Sequence, residues 1–147
     1  GEVIWKFDSG GARSVTLDDQ RILFPSSDGF VYALEKASGK VLWKFELDAG
    51  VPTDLVLADR VLIVGSSHQY LYALDRMTGE PLYRFSTGWG SGFTSAPAYD
   101  MEMKRVYALS SAGNLYAFAL TQKQPKTAMN MGPAVVAPGG AEATKKP

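Results

Sequence analysis

The residues able to do chemistry are few. His68 is the one histidine of the 147-residue chain, and there is no cysteine. Thiolate nucleophiles, disulfides and zinc–thiolate centres are therefore excluded. A histidine acts as a general base when it reaches its proton and a second group holds its ring. His68 lies in a turn-like stretch with no identifiable orienting partner, which reads as a surface turn residue. The acid pairs are Asp18-Asp19 and Asp100 with Glu102. Paired carboxylates can share acid and base duties, but only inside a pocket that a second feature must support. Here none does, and they read as solvated turn charges. Ser-Ser recurs at Ser26, Ser66 and Ser110, and a residue that returns with a repeat reads as structural. The stretch Ser86–Pro97 carries Gly88, Gly90 and Gly92 but lacks the Lys-Ser/Thr pair and helix of a phosphate-binding loop. Its two aromatics, Trp89 and Phe93, make it a candidate interaction loop: loops carry function more often than the scaffold beneath them, and an exposed Trp is a common interface anchor. The opposing reading folds both rings inward, as large aromatics usually are.

The elements beneath these residues repeat. Ser26–Phe45 reads SSDGFVYALEKASGKVLWKF and Ser66–Phe85 reads SSHQYLYALDRMTGEPLYRF, 40 positions apart. A third copy starts at Ser110 as SSAGNLYAFAL; Tyr72 to Tyr116 is 44 positions, so four residues have been inserted. The N-terminal GEVIWKF matches GKVLWKF from Gly39 and GEPLYRF from Gly79. Each unit reads as short strands rich in β-branched and aromatic residues: RILF, RVLIV and RVYAL, then FVYAL, YLYAL and NLYAF, then VLWKF and PLYRF. Asp28-Gly29 is a strong hairpin signal, Ala112-Gly113 a weaker one, and His68-Gln69 needs another turn geometry. A further short segment precedes each hairpin, SVTLD at Ser14 and DLVLA at Asp54. Four strands per unit at a period near 40 predict an all-β fold, a β-propeller of four-stranded antiparallel blades.

Within the repeat, Ala33, Glu35, Ser38, Gly39, Lys40 and Trp43 make one copy of a pattern; Ala73, Asp75, Thr78, Gly79, Glu80 and Tyr83 make a second. A carboxylate at Glu35 or Asp75 can accept bonds from turn N–H groups. Gly39 and Gly79 can take the positive φ that turns the chain into the outermost strand. Trp5, Trp43 and Tyr83 are equivalent, each large with one polar handle, suited to packing between blades with a hydrogen bond to backbone. This pattern resembles the tryptophan-docking motif of the propellers named after the pyrroloquinoline-quinone (PQQ) enzymes. The resemblance covers Gly1 to Leu120, with mild departures at Glu35, Ser38 and Tyr83. The third copy departs further: Ala119 replaces the acid, Lys123 stands where Gly39 and Gly79 stand, and no Trp follows.

The expected organisation is residues 1–7 as an orphan outer strand, blades over 12–45 and 51–85, a blade lacking its outer strand over 94–120, and a flexible Ala/Pro/Gly/Lys tail over 121–147. The parts sum to three blades, too few for a ring. Either more blades belong upstream, the preferred reading because separate chains leave exposed edge strands, or a homodimer forms a six-bladed ring in which each Gly1–Phe7 strand completes the partner's third blade.

The formal net charge is +0, which gives no footprint for nucleic acid or an anionic membrane. No apolar run reaches the roughly 18 residues of a transmembrane helix. The family resemblance implies two kinds of function. Its PQQ-dependent dehydrogenases need a quinone, calcium or a similar ion held by carboxylates and amides, and a catalytic Asp; no cluster here assembles such a site. The expectation is therefore a non-enzyme with no cofactor and no metal. The BamB-like outer-membrane assembly lipoproteins are the non-enzymatic branch, implying a periplasmic or otherwise extracytoplasmic scaffold whose partner is an outer-membrane assembly factor. A dehydrogenase fragment and an extracytoplasmic sensor propeller remain the alternatives.

Overall fold

The computed structural model describes residues 1–120. The expected tail over 121–147, with Lys123, lies outside the described residues. Among these described residues eleven strands form three antiparallel sheets. The first holds β1 (Thr16–Leu17), β2 (Arg21–Pro25), β3 (Phe30–Glu35) and β4 (Val41–Glu46) in chain order. The second holds β5 (Val56–Ala58), β6 (Val61–Gly65), β7 (Tyr70–Asp75) and β8 (Pro81–Ser86). The third has three strands, β9 (Ala98–Asp100), β10 (Arg105–Leu109) and β11 (Leu115–Ala119), with β11 at its outer edge.

The first two sheets share one register. Ala33 faces Trp43 and Val31 faces Phe45; Ala73 faces Tyr83 and Leu71 faces Phe85. Both shift register after that alanine, so Leu34 faces Val41 and Leu74 faces Pro81. A bulge of this kind bends and twists the outer strand. The central hairpins close alike. Ser26 N–H donates to Phe30 O (2.8 Å) and Gly29 N–H to Ser26 O (3.1 Å); Ser110 donates to Asn114 O (2.9 Å) and Gly113 to Ser110 O (3.0 Å). Gly29 and Gly113 sit at φ +91° and +84°, which glycine adopts without steric cost. At Ser66 the closing bond to Tyr70 O is kept (2.6 Å) with Gln69 outside the left-handed region. The Gln69 carbonyl is then taken by Thr87, through N–H (2.9 Å) and Oγ1 (3.0 Å).

The four inserted residues of the third unit are not all in the Ser86–Pro97 loop. Phe45 to Val56 is 11 positions and Phe85 to the equivalent Ala98 is 13, so the link gains two. Val56 to its partner Ile63 is seven and Ala98 to its partner Tyr107 is nine, so the β9–β10 turn gains the other two.

The core lies between sheets. One cluster joins Leu23, Val31, Ala33 and Trp43 of the first sheet to Leu62, Val64, Tyr72 and Leu74 of the second. A second joins Ile63 and Leu71 to Phe93, Val106 and Ala108. A sheet that buries its faces only against its neighbours is stabilised by stacking, as in other repeat folds. Gly1–Phe7 pairs with no strand among the described residues, yet it is held against the first sheet by side chains.

Candidate interaction surface

Two side chains of Gly1–Phe7 and two of β4 reach the following sheet, and one of β8 does. Trp43 Nε1 donates to Arg76 O (3.2 Å), and its ring lies over Gly79, where a Cβ would stand 2.5 Å from Cε3. Trp5 repeats the contact: Nε1 donates to Lys36 O (2.9 Å) and a Cβ on Gly39 would meet Cε3 at 2.5 Å. Gly39 (φ +71°) and Gly79 (φ +75°) thus need glycine twice over, for backbone conformation and for the ring above. Two residues on, Phe7, Phe45 and Phe85 stand edge-on to Tyr32, Tyr72 and Tyr116, with centroids 5.5, 5.3 and 5.1 Å apart. Edge-to-face pairs at this spacing contribute roughly 0.5–1.5 kcal/mol beyond area burial. Tyr83, in the equivalent place, is exposed.

The two carboxylates hold their turns differently. Asp75 Oδ1 accepts from Met77 N–H (2.7 Å) and Thr78 N–H (3.1 Å). Glu35, one methylene longer, accepts from the Ser38 hydroxyl instead. In both turns the hydroxyl residue accepts the next N–H but one, at 3.2 Å.

Asp18, Asp100, Asp59 and Asp48 are also engaged in turns or joints. Asp18 accepts from Arg21 N–H (2.8 Å), Gln20 N–H (3.1 Å) and the Arg21 guanidinium (2.8 Å). Burial alone would raise its pKa; these bonds outweigh it and hold the carboxyl below its ordinary value. Asp100 accepts from Glu102 N–H (2.9 Å) and Met103 N–H (3.0 Å). Asp59 joins the second sheet to the third through Tyr99 OH (3.0 Å) and Lys104 Nζ (3.0 Å). Asp48, on the link between the first two sheets, accepts from Tyr72 OH (2.9 Å) and Arg84 Nη1 (2.6 Å). Burial pushes the Tyr72 hydroxyl well above the ordinary tyrosine range, and its bond to the Asp48 carboxylate adds to this. Among the described residues no group of three or more His, Cys, Asp or Glu could hold a metal ion. The repeated serines are buried at the start of their turns, with Ser66 Oγ bonded to Ala49 O.

The candidate loop divides. Phe93 is fully buried, its N–H bonded to Ser66 O (2.8 Å) and its ring packed near Tyr116. It forms the bridge to Ser110 that Ala12 and Pro52 form to Ser26 and Ser66, so it belongs to the scaffold and offers nothing to a partner. Trp89 is 84% exposed, between Gly88 and Gly90 at φ +91° and +75°. Its ring stands edge-on to His68 at 4.8 Å. The sequence did not link His68 to this loop, because the two come together only when the hairpin and the inter-sheet link reach the same end of the sheet.

Stacked four-stranded antiparallel sheets, each latched to the next by an aromatic of its outer strand, define the blades of a β-propeller. The chain belongs to the family described as outer membrane protein assembly factor BamB, whose model matches residues 1–127. Among solved structures it resembles BamB from Moraxella catarrhalis at 23% identity and TM-score 0.62, covering 71% of this chain and 32% of that one. The computationally designed Ika4 protein aligns at 15% identity and TM-score 0.60, covering 75% and 66%. Quinohemoprotein alcohol dehydrogenase from Comamonas testosteroni aligns at 18% identity and TM-score 0.58, covering 67% and 21%. The chain thus spans about a third of the BamB structure it matches. Nothing among the curated proteins matches the sequence significantly.

Proposed function

We propose that this chain is a non-catalytic protein-interaction scaffold that serves outer-membrane protein assembly from outside the cytoplasm. Membership of the BamB family supports this reading. The observation that carries it is the use of the acids: Asp18, Asp48, Asp59, Asp75 and Asp100 are each bonded into a turn or a joint between blades. A quinone and its cation would need carboxylates gathered at one place. Trp89 is the proposed contact for the partner, a large exposed ring on a glycine-flanked loop.

The test has two arms. Purified chain is titrated with pyrroloquinoline quinone and calcium, following tryptophan fluorescence; no saturable change is expected. Separately, the chain is immobilised and challenged with purified outer-membrane assembly factors. Retention weakened about tenfold or more by Trp89→Ala is expected, in the range of an interface anchor. Saturable tight quinone uptake would revive the dehydrogenase-fragment alternative. Failure to retain any assembly factor would overturn the scaffold assignment and favour a sensor propeller.

A further inference from the structure

The two inter-blade links seat differently on the hairpin of the blade before them. Between the second and third blades, link and hairpin touch. Phe93 N–H donates back across the joint to Ser66 O (2.8 Å). A Cβ on Gly92 would stand 2.3 Å from Ser67 C, and one on Gly65 would meet Phe93 Cβ at 2.6 Å. One joint earlier, Pro52 takes the place of Phe93, Val51 that of Gly92 and Pro25 that of Gly65. Pro52 has no N–H to give Ser26 O. Val51 and Pro25 put side chains where glycine allows close approach. Link and hairpin therefore stand apart, around a cavity of about 40 Å³ lined by Arg13, Pro25, Ser26, Ser27, Val51 and Pro52. Both walls belong to blades whose four strands are described.

The polar groups of this cavity are unspent. Ser26 is 1% exposed, and its hydroxyl has no hydrogen-bond partner among the described residues. Its equivalents are engaged: Ser66 Oγ bonds Ala49 O, and Ser110 Oγ accepts Asn114 N–H (3.2 Å). A buried hydroxyl is costly unless something bonds it. Arg13 is the one charged group of the lining and makes no ion pair among the described residues. Ser27 Oγ is already given to Gly10 O (2.7 Å). The Asp28 carboxylate lies two residues from Ser26 but does not line the cavity. Burial alone would raise its pKa; the nearby Ser26 hydroxyl, Phe30 N–H (3.1 Å) and Tyr32 OH (2.9 Å) outweigh this. The Ser26 hydroxyl nevertheless stands outside hydrogen-bond geometry with that carboxylate.

We propose that this cavity binds a carboxylate carried on an acidic side chain of a protein partner, with Arg13 supplying the charge and the Ser26 hydroxyl donating to one oxygen. Guanidinium–carboxylate bonds are among the strong ones, and a cavity wall of two prolines and a valine offers no competing N–H. Size sets the class. At roughly 10–15 Å³ for each water-sized group, the cavity takes about three non-hydrogen atoms, which is a carboxylate carbon and its two oxygens. Sulfate and phosphate have five, and a fused quinone has many more. The cavity is formed by a hairpin and a link, as is the Trp89 site, so both lie at the same end of the sheets. A partner seated on Trp89 can thus place an acid one joint away. The identity of the partner class rests on the scaffold reading; the carboxylate site itself does not.

The experiment is a nuclear magnetic resonance titration of the full ¹⁵N-labelled chain with two probes, sodium acetate and the capped peptide acetyl-Gly-Glu-Gly-amide. Saturable shifts confined to the amides of Arg13, Ser26, Ser27 and Val51 are expected with both, at roughly millimolar concentration. Arg13→Gln and Ser26→Ala should each weaken them by about fivefold or more, while Arg60→Gln, at the opposite end of the sheets, should not. Ser26→Ala removes a hydroxyl that bonds nothing in the protein, so its urea midpoint should not fall, which separates lost binding from lost fold. An equal response to sodium chloride at matched ionic strength overturns the proposal. So does an acetate response that Arg13→Gln leaves unchanged. Acetate binding without peptide binding overturns the partner's side chain as the source, in favour of a free small carboxylate. Failure of assembly factors to be retained through Trp89 would sink the scaffold reading and leave these shifts untouched, so the two failures are distinguishable.

Discussion

Replacing Gly79 by alanine tests the joint between the first two blades. The φ of +75° is disfavoured for a residue with a Cβ, at roughly 1–2 kcal/mol. The new methyl would also stand 2.5 Å from Trp43 Cε3, so the ring must lift. Lifting it forfeits the indole bond to Arg76 O, about 1 kcal/mol, and part of the ring's burial, about 1 kcal/mol more. Gly79→Ala is therefore expected to cost about 3–4 kcal/mol in urea unfolding followed by circular dichroism, with the slope unchanged. The ring accounts for half of this. In a Trp43→Leu background, Gly79→Ala should cost only the backbone strain, leaving a coupling of about 2 kcal/mol. Gly88→Ala is the control, since Gly88 sits at φ +91° with open space around its Cβ position and should show strain alone. Equal costs for Gly79→Ala in both backgrounds, within about 0.5 kcal/mol, would refute the idea that Trp43 and Gly79 form one joint.

Phe93→Ala should destabilise by about 3–5 kcal/mol because the ring is fully buried, while Trp89→Ala should change stability by less than about 0.5 kcal/mol; chemical denaturation of the two variants checks both. The Tyr72 hydroxyl has a raised pKa in the folded chain, so the folded state keeps a proton that the unfolded state loses. Its contribution is complete below about pH 10 and is lost as pH rises beyond that. Thermal melts between pH 9 and 11 should therefore show a falling midpoint, less steep in Tyr72→Phe. Asp18 is lowered, so its support is present above the ordinary carboxylate range, about pH 4, and is lost on acidification. Asp18→Asn should flatten the acid limb of the stability profile.

Much of the blade was legible because each chemical demand recurs at a fixed offset. Glycine at 39 and 79, and a large aromatic with an N–H at 5 and 43, could be assigned before any coordinate was known, since turn and ring impose residue types. The Glu35 turn was legible only in outline: the sequence marks the carboxylate, but the extra methylene reroutes its bond through Ser38. The Ser86–Pro97 loop resisted because its aromatics have no counterpart in the other units. Phe93 replaces Ala12 and Pro52 at a bridge whose offset from the following serine is disturbed by the insertion, so its burial was hidden. The partnership of His68 with Trp89 depends on two segments 21 positions apart meeting in space, which no local pattern encodes.

The sameness of the joints makes this chain a set of interchangeable cassettes. Excising the 40 residues Gly39–Thr78 would join Ser38 directly to Gly79. The rejoined turn would still offer a glycine beneath Trp5 and the Lys36 carbonyl to its indole, and the strand after it would already carry the residues that meet the third blade. Duplicating the same segment would add a blade with equal economy. A chain with such joints can change its number of blades in one recombination step, without any compensating substitution at the boundaries.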